Sequence, residues 1–283
     1  SKSISYSKSA SYSKSETLEI GPPRRETPLP SVSASYSASY SDSDSPTKTP
    51  TPDEPEGIYL TFNPATEDVS LPIMEIGPLG VTVDWGDGST VSYTTSDQGV
   101  ITNTRINPGA EITVIIRGDV ISYGDYESQK PSAFRTASNE NIKSVKVIGM
   151  DTITDASYMF WNMEKATSFD LQFFKTINIK TMAHMFNSCR ALTELNFNFE
   201  RNNTHYVTTM ASMFANCVSL ETLYVSRFRT ENVRNMTKMF SYNRSLDSVN
   251  ITPWCVRYID SEPYEFALQA PFVERPQWGA ECM

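Results

Sequence analysis

Between residues 155 and 251 the chain repeats one unit of 26 to 28 residues four times. A repeat of that period folds as neighbouring copies of one small element, so it constrains the architecture more than any other feature. Each copy is anchored by a Met-Phe pair: Met159-Phe160, Met185-Phe186, Met213-Phe214 and Met239-Phe240. Four residues before each of these Met residues stand Asp155, Thr181, Thr209 and Asn235. Three residues after each Phe come Met163, Cys189, Cys217 and Asn243. Further apolar columns follow at Ala166/Leu192/Leu220/Leu246, Phe169/Leu195/Leu223/Val249 and Leu171/Phe197/Val225/Ile251.

In the second copy Met182, Met185, Phe186 and Cys189 fall at i, i+3, i+4 and i+7, the spacing of one helix face, with Thr181 as its cap. Leu195-Asn196-Phe197 then alternates as a short strand does. The expected unit is a short helix, a short strand and a loop. The expected fold class is therefore α+β: a leucine-rich-repeat solenoid preceded by a small β-sandwich-like domain and a Ser-rich tail. One unit alone cannot bury its apolar face, whereas stacked copies can.

The pattern Met-x-x-Met-Phe-x-x-Cys-x-x-Leu-x-x-Leu, followed by Phe-x-Thr-x-Asn-Val, resembles the BspA-like leucine-rich repeats of microbial surface proteins, with Met-Phe repeats of the Mycoplasma-lipoprotein type. The third copy carries it most fully, from Met210, Met213, Phe214 and Cys217 to Phe228, Thr230, Asn232 and Val233. The likeness covers roughly residues 140 to 283. The segment from Ala270 to Cys282 is similar to the family's terminal segment. The first copy departs, with Met163 for Cys and Ala166 for Leu. The resemblance implies surface display, adhesion or protein contact, and no catalytic residues.

Residues 57–125 read as a β domain and 126–283 as the repeat domain with its caps. Gly57 to Phe62, Val81 to Trp85, Thr90 to Thr94 and Glu111 to Arg117 are the expected strands, with Gly86-Asp87-Gly88 as a hairpin turn. Val83 to Ser89 resembles the signature hairpin of polycystin-type (PKD-like) β-sandwiches. Asp84 and Asp87 offer too few oxygens for a calcium ion, so they read as turn residues. Residues 123–150 are expected to join the domains, and Ile142 to Ile148 to seal the first repeat as a strand.

The first 56 residues form a low-complexity tail and Pro-rich linker. Ser fills every odd position from Ser1 to Ser15 and from Ser31 to Ser45. As a strand, such a segment would place all its serines on one face and Ile4, Tyr6, Tyr12, Tyr36 and Tyr40 on the other. These five residues are the candidate assembly anchor, able to add to a neighbour's open sheet edge. As a free chain the same composition reads as a hydroxyl-rich stalk.

Residues 1–25 carry five Lys or Arg against two Glu, a local +3, so the remainder holds −12 of a net −9. An acidic body with no basic stripe argues against a nucleic-acid partner. No apolar run is long enough to span a bilayer, no signal peptide is evident, and the opening Ser1 raises the expectation of a processed chain. Cys189 and Cys217 share a repeat column and read as small buried residues, while Cys255 and Cys282 are a candidate pair at the C-terminal cap. His184 is expected on an exposed helix face and His205 in a loop. No nucleophile–base grouping, phosphate loop or metal spacing appears, so neither an enzyme nor a cofactor is expected.

The candidate binding face is the outward side of the short strands: Asp170, Asn196, Tyr224 and Asn250, flanked by Glu194 and Thr222. A polar sheet bearing one Tyr suits protein contact, with glycan as a second ligand class. The sequence thus reads as a non-enzymatic structural or interaction protein of a microbial surface or virion. Its tail would be the anchor and its repeats the contact surface. The rival reading is a stalked adhesin or receptor-binding protein.

Overall fold

A computed structural model describes residues 54–62, 69–73, 75–95, 99–104, 109–127, 141–197, 203–272 and 274–282. They belong to one compact unit, Pro50–Met283. The serine tail, with Ile4, Tyr6, Tyr12, Tyr36 and Tyr40, lies outside the described residues.

The first half is antiparallel. β1 (Gly57–Phe62) pairs with β6 (Ile112–Ser122), β6 with β3 (Glu75–Asp84), and β3 with β4 (Thr90–Tyr93). β2 (Val69–Ile73) and β5 (Gly99–Asn103) form a separate two-stranded sheet. Alternation explains these strands: Ile58 and Leu60, Val81 and Val83, and Val114 and Ile116 are buried, and branched chains fit a pleated, half-buried surface. The β3–β4 turn forms as the sequence predicts. Asp84 accepts from Gly86 N at 3.0 Å and Asp87 from Ser89 N at 2.8 Å. Gly86 has φ 73°, and a Cβ there would lie 2.7 Å from Thr113 O, so no other residue fits without displacement.

β7 (Ile142–Gly149) is the junction. One edge pairs antiparallel with β1 and the other parallel with β8 (Ser168–Phe174). Beyond β8 lie β9 (Glu194–Phe197), β10 (Thr222–Leu223) and β11 (Ser248–Val249), all parallel. The result is one nine-stranded sheet, β11-β10-β9-β8-β7-β1-β6-β3-β4. The segments 57–125 and 126–283 are therefore joined by continuous backbone pairing. β12 (Cys255–Val256) and β13 (Gln277–Trp278) pair separately near the C-terminus.

The expected α+β leucine-rich-repeat solenoid does not form. The structure is mostly β-sheet, and the described residues contain no α-helix. Each Met-Phe anchor lies in turns flanked by two left-handed residues: Tyr158 and Asn162, His184 and Ser188, Ser212 and Asn216, Lys238 and Tyr242. A residue with φ near +60° cannot continue a right-handed helix. The turn N–H groups also point elsewhere. Tyr158, Phe160 and Asn162 donate to Ala183, Met185 and Asn187 of the next copy at 2.8–3.0 Å, and later copies repeat this. An adjacent copy supplies acceptors at each register, and this tertiary pairing overrides the apolar spacing. The helix caps were chemically apt all the same. Asp155 and Asn235 accept the N–H two residues on at 2.7 and 2.9 Å, but as Asx turns rather than helix starts.

The apolar columns are buried as expected, now by stacked turns. Phe186 and Phe214 stack at 5.5 Å, and Phe214 and Phe240 at 5.8 Å. Burying one such side chain contributes roughly 1.5–3 kcal/mol. A threonine column locks the copies along one corner: Thr176, Thr204 and Thr230, all buried, donate to Asn203, Arg229 and Cys255 carbonyls at 2.8–3.1 Å. A fifth turn, with left-handed Glu265 and Gln269 around Phe266, covers the fourth copy. Cys255 and Cys282 form a disulfide with Cα atoms 5.3 Å apart, closing the C-terminal cap.

Candidate functional site

The strand face predicted from sequence is built by register. Lys146, Asp170 and Asn196 are aligned partners across β7, β8 and β9, and Glu194, Thr222 and Ser248 across β9, β10 and β11. Thr222, Tyr224 and Asn250 are exposed, and Asp170 is half-buried. Tyr224 is 56% exposed. The face is polar because every second strand residue points away from the Leu195, Leu223 and Val249 column.

A concave site lies elsewhere, and sequence reasoning missed it. A groove of about 750 Å³ runs along the turns that open each copy. Its floor follows the bridges Asp155–Thr181–Thr209, which continue the Ser122–Asp155 bridge from the end of β6. Thr154, Lys180 and Thr208, one residue earlier in each copy, flank this row. One wall is the loop Asp125-Tyr126-Glu127. Gly124 lets that loop approach, because a Cβ there would sit 2.7 Å from the Tyr158 ring and 2.8 Å from Ser157 O. Tyr126 is held across the copies: Asn235 donates to its hydroxyl at 2.8 Å. The other wall is Asn178 and Tyr206.

Tyr206 stands in a column that holds a second exposed tyrosine, Tyr258, in the fourth copy. In the first and third copies this column holds Asn, and each Asn donates to the previous copy: Asn178 to Asp151 O at 2.7 Å, Asn232 to His205 O at 2.8 Å. Tyr206 cannot make that amide bond and stands 56% exposed instead. The sequence did contain this signal. In the second copy Phe-x-Thr-x-Asn-Val is broken at two residues, Asn202 in the Phe position and Tyr206 in the Asn position.

Electrostatics set the groove apart from the strand face. Burial raises the Asp155 carboxyl above its ordinary pKa. Hydrogen bonds from Ser157 oppose the rise, and the like charges of Asp125 and Glu127 add to it. Beyond Tyr126 an aromatic row continues. His184 stacks on Tyr158 at 4.7 Å with the planes 5° apart, and Tyr126 lies 6.3 Å from His184. This corrects the expectation that His184 is an exposed helix residue: it occupies a left-handed turn at φ 58° and is partly buried. Burial, with Lys238 nearby, lowers its pKa from 6.5 to about 4, so it is neutral at pH 7. His205 lies in a turn as expected and bonds Glu231 at 2.8 Å. Cys189 and Cys217 are buried thiols donating to Phe160 and Phe186 carbonyls at 3.1 Å. Among the described residues no group of three or more His, Cys, Asp or Glu could hold a metal ion, and no helix is long and apolar enough to cross a membrane.

The chain belongs to the family described as Mycoplasma protein of unknown function, DUF285, whose profile matches residues 131–254 and 190–274. Those matches span the Met-Phe repeats and the fifth turn. No curated protein and no solved structure matches the chain.

Proposed function

We propose that this is a non-enzymatic structural or interaction protein of a microbial surface or virion, its tail acting as an assembly anchor and its stacked repeats as a protein-contact surface. The observation that carries this reading is the register of the copies. It aligns Glu194, Thr222 and Ser248 across adjacent strands, with exposed Tyr224 just beyond β10, and a preformed face of this kind suits contact at low entropy cost. Two facts support the setting. Membership in a family described from Mycoplasma, with the resemblance to BspA-like surface repeats, favours a microbial surface. The Cys255–Cys282 disulfide favours an oxidising compartment.

Limited proteolysis of the full chain, free and on its native surface or particle, tests the anchor. Protection of residues 1–49 on the particle, with rapid cleavage in free protein, is the expected result. Equal cleavage in both would replace the anchor with a stalk and favour an adhesin that binds through the repeats.

A further inference from the structure

We propose that the groove between Tyr126 and Tyr206 is a carbohydrate site that takes a short, non-anionic oligosaccharide. The inference deepens the reading of the chain as a binding protein and rests on it. The first ground is Tyr206. Its column is structural in the neighbouring copies, where Asn178 and Asn232 tie one copy to the last. A large ring stands 56% exposed at that point, edge-on to His205 at 4.9 Å.

The second ground is shape and lining. The groove's volume of about 750 Å³ falls within the range of roughly 300–1,000 Å³ usual for small-ligand sites. An aromatic stands on each wall, and Tyr126 is fixed in advance by Asn235. The C–H face of a pyranose packs on such rings. Asp125 and Glu127 supply carboxylate acceptors for pairs of sugar hydroxyls, and charged acceptors make the stronger hydrogen bonds.

The third ground excludes the main rival, an extended peptide. Peptides that add to sheets need open backbone donors and acceptors. Here the floor has already used them. Lys180 N donates to Thr154 O and Thr208 N to Lys180 O, while Ala156 N and Met182 N donate to Thr181 O and Thr209 O, all at 2.8–3.1 Å. Recognition must therefore go through side chains. Among the described residues, three carboxylates, Asp125, Glu127 and Asp155, line the groove with one cation, Lys180, a balance that disfavours sialylated or sulfated sugars and suits neutral or amino-bearing ones.

The test is an array of immobilised neutral, glucosamine-containing, sialylated and sulfated oligosaccharides probed with the full chain, alongside Tyr206→Asn and Tyr224→Ala. Tyr206→Asn places there the residue that the first and third copies use, so its melting temperature should hold or rise. Expected is binding to neutral or amino-bearing glycans, weakened about tenfold or more by Tyr206→Asn and untouched by Tyr224→Ala. Binding to no glycan overturns the proposal, as does a preference for anionic ones. Loss of binding in Tyr224→Ala alone overturns it by moving the site to the strand face. Capture of a Lys-rich peptide in place of any glycan reassigns the groove to protein. None of these outcomes changes the protease protection of residues 1–49, so the anchor stands or falls separately.

Discussion

The two halves of the nine-stranded sheet reach order by different routes. In the antiparallel half, β6 runs 11 residues between β1 and β3, and long ladders define each strand. In the repeat half, β10 and β11 are two residues each. Yet Met213, Phe214, Cys217 and Leu220 there are as buried as anything in the protein. The repeats manage this because their turns, not their strands, carry the pairing from copy to copy. Left-handed residues at fixed positions aim N–H groups at the neighbour, and repetition supplies matching carbonyls. Such units are stable only through their neighbours.

The largest expected effect breaks that stack. Phe214→Ala should cost about 3–5 kcal/mol, as for other buried Phe truncations, against about 1 kcal/mol for Ile116→Val in the antiparallel half. Because β7 belongs to both halves, urea unfolding of each variant should stay a single transition. Two separate transitions would make the halves independent.

Removing the disulfide asks how far the stack depends on its end. Cys282→Ser should cost roughly 2–4 kcal/mol. In amide exchange, protection should fall first around Val256 and Trp278 and leave β1 and β6 unchanged. Uniform loss across both halves would deny the cap a local role.

Acid distinguishes the halves again, through His184 in the repeat turns. Its folded pKa of about 4 lies below the ordinary 6.5, so the unfolded chain binds the proton more readily. Its contribution is intact above pH 6.5 and is lost as pH falls from there towards 4, at most about 3 kcal/mol. Denaturation at pH 7 and pH 4.5 checks this, and His184→Gln should flatten that part of the profile. An unchanged profile would place His184 in solvent.

The smallest effect is the most discriminating. At left-handed Asn216, Asn216→Gly should be neutral or stabilise by up to about 0.5 kcal/mol. On a helix the same change would destabilise by about 0.1–0.4 kcal/mol. Thermal melts separate the two.

Much of the antiparallel half was legible. Alternation and the Asp84 to Ser89 turn marked β1, β3, β4 and β6, because period-two burial has few other causes. In the repeats, the Met, Phe, Cys and Leu columns correctly identified the core. They misidentified the backbone, since Met182, Met185, Phe186 and Cys189 fit a helix face and also fit two successive turns facing inward. Nothing in their side chains reveals that His184 and Ser188 adopt positive φ. Only the stacked neighbour makes those conformations worthwhile. The strand-face residues Asp170, Thr222 and Tyr224 could be placed outward from sequence because they alternate with the core. The groove was not, because Tyr126 reaches it from outside the repeats. Its internal clue, an aromatic where the first and third copies hold Asn178 and Asn232, has meaning only once the bonds of those two amides are seen.

The central claim, that the repeats are stacked turns without helices, is tested most directly by far-ultraviolet circular dichroism of the full chain. Stacked turns without helices give a β- and turn-dominated spectrum lacking the paired helical minima. A clear helical double minimum that vanishes on unfolding would contradict it and restore a helix to each repeat.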